Sequence, residues 1–336
     1  MIYLKRDDEL LGNYEFLYAK ISANLIHYFG DSSLQNHTRI VNDYLKYKQQ
    51  CERHLSNANK FSYNYVFDNT IISNIVNAPI IYSFCIGEYR LLPIFLLECG
   101  FNISILIKGR ILNKYSAFFD TLKKNLKINN STQTNVDFIS SDDRNVLLKL
   151  RNAISDGKKI LVFIDGNAGS VDNKKNVIKT SFFAQPILFH QGVAFLSYIF
   201  KVKPIGIVLL FKNDKIQIEL LPNNSILNSD KNTFINSVIS EQLSYLSTLI
   251  TQYGTAVWDA VESIHSWIDI NNINLNNFEI GENLFLDRNN TKCNIFRYAP
   301  FHFHNEYYLL DKKRYLTHKV TKHLYEQYSK IARIYF

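Results

Sequence analysis

The chain has 336 residues, 46% of them apolar and 20% charged, a globular balance that leaves out disorder as the default. A formal net charge of +8 favours acidic partners such as carrier proteins, coenzyme A, nucleic acid or anionic lipid, but no nucleic-acid motif accompanies it, so no nucleic acid is expected. No stretch approaches the ~18 uninterrupted apolar residues of a membrane-crossing helix, and none of the four cysteines forms the C-x-x-C pair that would suggest zinc.

The opening MIYLKRDDELL lacks the apolar core of a signal peptide, so a cytoplasmic protein with reduced thiols is expected. Apolar spacing predicts helices over Leu10–Phe29 and Leu34–Leu55, and residues 1–76 read as a helical N-terminal cap. From residue 77 the pattern alternates between strand and helix. Strands are predicted at Ala78–Phe84, Ile103–Ile107, Val136–Ser140, Lys159–Asp165 and Pro204–Phe211. Helices are predicted at Glu88–Cys99, ended by Gly100, then at Lys114–Leu126, Arg144–Ser155 and Gln191–Phe200. Asn213 and Asp214 form a turn into Ile216–Leu221, which reads as a hairpin. Such alternation predicts an α/β core over 77–270, a mostly parallel mixed sheet flanked by helices. Residues 231–270 read as one long amphipathic helix containing Trp258 and Trp267. Residues 271–336 read as a small α+β extension, either a lid or a partner module, with short strands and a last helix over Thr317–Arg333.

Ligands of open α/β sheets bind beyond the carboxyl ends of strands. Two such ends carry polar residues here. The first is Cys85-Ile86-Gly87-Glu88-Tyr89-Arg90, where a helix beginning near Glu88 and the Arg90 guanidinium would both favour a thiolate at Cys85. That is the setting of a nucleophilic cysteine, although a free cysteine is more often a small core residue. The second is Asp165-Gly166-Asn167-Ala168-Gly169, whose carboxylate could orient a base or an amine, and whose glycines could offer N–H groups to an oxyanion. Asp165 could equally cap its own turn. His190, just before a helix, is a candidate general base that could also be structural. His302 and His304 share one face of a strand, but no third ligand accompanies them, so no metal is expected.

The order of these pieces resembles the lysophospholipid acyltransferase superfamily, and within it the lipid A lauroyl/myristoyl branch, over about residues 77–265. The family block His-Phe-Gly-Asn-Tyr-Glu-Leu-Leu-Pro is similar to Cys85-Ile86-Gly87-Glu88-Tyr89-Arg90-Leu91-Leu92-Pro93. The family's strand into Asp-Gly-x-Ala-Gly resembles Ile164-Asp165-Gly166-Asn167-Ala168-Gly169, and its Phe-Phe-Gly-x-Pro loop resembles Phe182-Phe183-Ala184-Gln185-Pro186. The positions of the family's catalytic histidine and its acidic partner hold Cys85 and Arg90.

With that replacement, the resemblance implies an acyl or aminoacyl transferase that forms a thioester on Cys85. The donor would be a phosphopantetheine thioester, either an acyl or peptidyl carrier protein or coenzyme A, and no cofactor would be tightly bound. The acceptor would be an amine or hydroxyl of a small molecule or peptide. Asp165 or His190 would assist it, while Glu88, Arg90, Gly166 and Asn167 would line the substrate. The second implication is an inactive acyltransferase-fold scaffold that docks carrier proteins. The third is a lysolipid or lipid A-type acyltransferase with peripheral membrane contact.

Overall fold

The computed structural model describes residues 7–31, 33–57, 65–109, 111–112, 134–166, 176–221, 229–267, 293–303 and 305–332, with backbone alone for 7–13. They group into two compact units, one of Met1–Leu45, Lys179–Leu188 and Val261–Phe336, the other of Lys46–Ile178 and Phe189–Ala260.

The second unit carries a seven-stranded sheet. Its strands are β1 (Tyr65–Val66), β2 (Ile80–Ser83), β3 (Ile103–Ile107), β4 (Val136–Ser140), β5 (Lys159–Phe163), β8 (Ile205–Lys212) and β9 (Lys215–Leu221), in the order β1-β9-β8-β2-β5-β3-β4. Strands β8, β2, β5, β3 and β4 run parallel to their neighbours, and β9 turns back antiparallel to β8. The sheet is therefore mixed and mostly parallel, as expected. The apolar run of β5 suits its central place, since a strand covered on both faces has no reason to alternate. Asn213 and Asp214, with φ of 51° and 59°, make the two-residue turn whose twist suits a tight hairpin.

Helices α3 (Thr70–Asn77), α4 (Leu92–Glu98), α5 (Val146–Ser155), α6 (Gly192–Phe200) and α7 (Lys231–Tyr253) belong to this unit. Ile94, Phe95 and Leu97 of α4 join Ile81, Ile105, Leu161, Ile207 and Leu209 of the strands in one apolar core. Gly206 is required by packing, because a Cβ there would lie 2.6 Å from the Tyr82 ring. Asp230 caps α7 by accepting from the Asn232 and Thr233 N–H groups.

The other unit holds α1 (Asp7–Phe29), a three-stranded sheet of β10 (Tyr298–Phe303), β11 (Glu306–Asp311) and β12 (Leu316–Val320), and α8 (Lys322–Ala332). Alternation divides the sheet's side chains. Ala299, Phe301 and Leu310 meet Ala19 and Ala23 of α1, while Tyr298 and Leu309 meet Leu324 and Tyr328 of α8. Helix α2 runs from Leu34 to Asn57, and β6 (Val177–Phe182) pairs with β7 (Gln185–His190) around Phe183 and Ala184.

Four expectations are corrected. The helix over 231–270 stops at Tyr253, where Gly254 adopts φ 90°, and three short 3-10 turns follow. The helix from Glu88 begins instead as a 3-10 turn over Tyr89–Leu91, with α4 starting at Leu92 ahead of Pro93. Residues 316–320 form a strand, so the last helix starts at Lys322 rather than Thr317. Within 1–76, the strand β1 stands where only helical cap was expected, and α1 packs on the C-terminal strands. The predicted helix Lys114–Leu126 lies outside the described residues, while the strands before and after it in the chain, β3 and β4, form as predicted.

Candidate functional site

Strands β2 and β5 are adjacent and parallel, with Ser83 beside Phe163. Two residues beyond that last pair, Cys85 stands beside Asp165. The Cys85 N–H donates to Asp165 Oδ1 at 2.7 Å. Trp258 Nε1 donates to Asp165 Oδ2, also at 2.7 Å. Both residues are buried, Asp165 at 1% and Cys85 at 9% exposure. Burial pushes the Asp165 carboxyl up to about 6, against the pull of the Trp258 and Cys85 hydrogen bonds. Gly166 lies at the same place, since a Cβ on it would sit 3.9 Å from Cys85 Sγ.

The expected thiolate is a correction. Burial pushes the Cys85 thiol well above its ordinary value, and the Asp165 and Asp259 charges push the same way. Arg90 pulls downward, as its position suggested, without reversing them. No α-helix N-terminus reaches the thiol either, because α4 starts seven residues further on at Leu92. In the resting state Cys85 is a protonated thiol.

Arg90 is engaged by a residue that sequence reading missed. Its Nη2 donates to Asp259 Oδ2 at 3.2 Å and its Nε to the Tyr89 hydroxyl at 3.1 Å. The Tyr89 hydroxyl in turn donates to Asp259 Oδ2 at 2.5 Å, and Lys48 Nζ lies 3.5 Å from Asp259 Oδ1. Burial alone would lower the Arg90 pKa, but Tyr89 and Asp259 outweigh it and raise it. Trp258 and Asp259 reach the site because Ile86 and Trp258 form an antiparallel bridge and the Asp259 N–H donates to the Cys85 carbonyl at 2.7 Å. The sequence signal was Gly254, a helix stop followed by an indole and a carboxylate.

The turn between Cys85 and Arg90 is fixed by Gly87. Its φ is 59°, and a Cβ there would lie 2.2 Å from the Leu209 carbonyl oxygen. The Gly87 carbonyl accepts the Tyr47 hydroxyl at 2.7 Å, which ties α2 to the turn. Glu88 is 2% exposed and pairs with His54 Nδ1 at 2.8 Å. Burial raises the Glu88 pKa and His54 lowers it. Cys51, one turn before His54 on α2, is pushed up to about 12 by burial and by Glu88.

Of the residues singled out from sequence, Cys85, Asp165 and Gly166 come together, with Glu88 and Arg90 on the adjoining turn. Asn167 lies outside the described residues. His190 ends β7, in the two-stranded sheet rather than the one that carries Cys85. His302 hydrogen-bonds Glu15 and Tyr325, and His304 lies outside the described residues. No group of three or more metal-binding side chains occurs among the described residues, and none of their helices is long and apolar enough to cross a membrane.

No model of a known protein family matches the chain, and no curated protein matches it.

Proposed function

We propose that the chain is an acyl or aminoacyl transferase with an acyltransferase-like fold, and that it carries the acyl group on Cys85. The placement of Cys85 beside the Asp165 carboxylate, which its backbone N–H holds, at the carboxyl ends of two central parallel strands, supports this most. In the first half-reaction Asp165 takes the thiol proton as sulfur attacks the carbonyl carbon of the donor thioester. The donor C–S bond breaks, and Asp165 passes the proton to the leaving thiol of coenzyme A or a carrier protein. In the second half the amine or hydroxyl of a small molecule or peptide attacks the Cys85 thioester. The acceptor loses its proton to a base, and Cys85 leaves and is reprotonated. Thioester exchange is close to thermoneutral, so a thiol nucleophile suits a thioester donor. A reducing, cytoplasmic setting would keep the thiol available.

A protonated thiol does not count against this order of events. Asp165, with its pKa near 6, is an ionised base at neutral pH and needs only to accept the proton as the C–S bond forms. Release of free thiol from octanoyl-coenzyme A or octanoyl-loaded carrier protein, dependent on an added amine and lost in Cys85→Ala, tests the proposal.

The second reading is a non-catalytic module that docks carrier proteins. It is favoured by the raised thiol and by the pairing of Arg90 with Asp259, which leaves the guanidinium already engaged. Carrier binding that survives in both Cys85→Ala and Asp165→Asn, without thiol release in any form of the protein, would select it. A lysolipid acyltransferase with peripheral membrane contact stands third, and flotation with anionic vesicles tests it.

A further inference from the structure

We propose that His54 and Glu88 form the proton-accepting pair that deprotonates the acyl acceptor, an amine or hydroxyl, in the second half-reaction; this rests on the acyltransferase reading above. His54 Nδ1 lies 2.8 Å from Glu88 Oε1. The carboxylate is 2% exposed, while the imidazole side chain is 20% exposed. A buried carboxylate thus stands behind a ring that reaches the surface, the arrangement that fixes the tautomer of a histidine base.

The pair is placed by the same turn as the nucleophile. Glu88 is three residues beyond Cys85, and its N–H donates to the Leu209 carbonyl of β8 at 2.7 Å. The His54 ring packs on Phe211, two residues further along β8, with ring centroids 4.8 Å apart. Strand β8 is the parallel neighbour of β2, whose carboxyl end leads to Cys85. The Tyr47 hydroxyl also ties α2 to this turn, through the Gly87 carbonyl at 2.7 Å.

A second observation separates the pair from a structural contact. Glu88 Oε2 is buried and has no hydrogen-bond partner among the described residues. A purely structural carboxylate buried with one oxygen unsatisfied is destabilising, and such groups gather at sites of chemistry. The charged and titratable groups facing Glu88 are His54 and Cys51 on α2 and Arg90 on its own turn. Cys51 stays protonated at neutral pH and does not compete for the acceptor proton.

With Nδ1–H donated to Glu88, Nε2 is the basic nitrogen. It takes the N–H or O–H proton of the acceptor as the new C–N or C–O bond forms. The Cys85 C–S bond breaks, the departing thiolate takes a proton from solvent, and the imidazolium returns its own to solvent. Charge and protons balance over the cycle.

The test separates loading from discharge. Cys85 is loaded from octanoyl-coenzyme A, and discharge is followed with glycinamide, which must lose a proton, and with hydroxylamine, a nucleophile strong enough to need no base. In His54→Gln, loading is expected to stay within about threefold of wild type while discharge to glycinamide slows about 100-fold or more. Hydroxylamine discharge should be unchanged, and added imidazole should restore glycinamide discharge in His54→Ala. Equal glycinamide discharge in wild type and His54→Gln would overturn the inference alone. Loss of loading in both His54 variants would mark a structural role and overturn it as well. No loading of the wild-type protein would overturn the acyltransferase reading and this inference with it.

Discussion

Cys85 donates its backbone N–H to Asp165 Oδ1 at 2.7 Å, and that bond follows from strand register. Ser83 of β2 faces Phe163 of β5, and each functional residue lies two positions further along its strand. Trp258 closes the arrangement from the other side of the carboxylate. Removing that indole donor strands a buried acceptor, so Trp258→Phe is expected to destabilise the fold by at least about 1–3 kcal/mol. A urea midpoint equal to that of wild type would show that the indole bond is not needed.

Asp165 also sets a pH dependence. Its native pKa near 6 lies above the ~3.9 of an unfolded aspartate, so the native state binds the proton more tightly. Its contribution to stability is therefore greatest below about pH 4, falls as pH rises towards 6, and is constant above that. The stability of wild type relative to Asp165→Asn should drop by roughly 2–3 kcal/mol across that window. Denaturant melts of both proteins at several pH values measure it, and a difference that rises with pH would have the wrong sign.

Gly87 and Gly30 separate backbone strain from collision. Both have positive φ, 59° and 63°, but a Cβ on Gly30 meets nothing within 4 Å. Gly30→Ala should cost about 1 kcal/mol from the left-handed backbone alone. Gly87→Ala adds a contact at 2.2 Å with the Leu209 carbonyl, so it should cost at least about 3 kcal/mol or shift the turn that carries Glu88 and Arg90. Thermal melts that rank the two variants equally would remove Gly87 from the explanation of the site.

Thiol reactivity should follow burial. Burial raises all four thiols, Cys99 to about 11, but Cys85 and Cys51 are buried whereas Cys99 and Cys293 are partly exposed. Iodoacetamide at neutral pH should therefore modify Cys99 and Cys293 well before Cys85. Peptide mapping after timed alkylation checks the order. Rapid labelling of Cys85 in the resting protein would show a thiolate that the structure does not support.

The sheet and one half of the site were legible in the sequence. Strands β3 and β4 fall on the predicted residues, and the carboxyl ends of Ala78–Phe84 and Lys159–Asp165 led to Cys85 and Asp165. Parallel neighbours with apolar runs leave little freedom in where their ends meet. Trp258 and Asp259 were not legible, because their approach depends on a bridge to Ile86 across a long stretch of chain, and only Gly254 marked the break in the helix before them. His54 was hidden for a different reason. On α2 it looks like one more polar residue of an amphipathic helix, and nothing local tells that Glu88 will be buried against it. The thiolate expected from Arg90 and a helix N-terminus does not form, because burial and the Asp165 and Asp259 charges outweigh Arg90 and the α-helix starts only at Leu92.

The most direct test of a covalent role for Cys85 is the intact mass of the protein after mixing with octanoyl-coenzyme A and with octanoyl- or aminoacyl-loaded carrier proteins. A mass gain equal to the acyl group, present in wild type, absent in Cys85→Ala and removed by hydroxylamine, is the expected result. An unchanged mass with every donor, or an adduct that persists in Cys85→Ala, would contradict it.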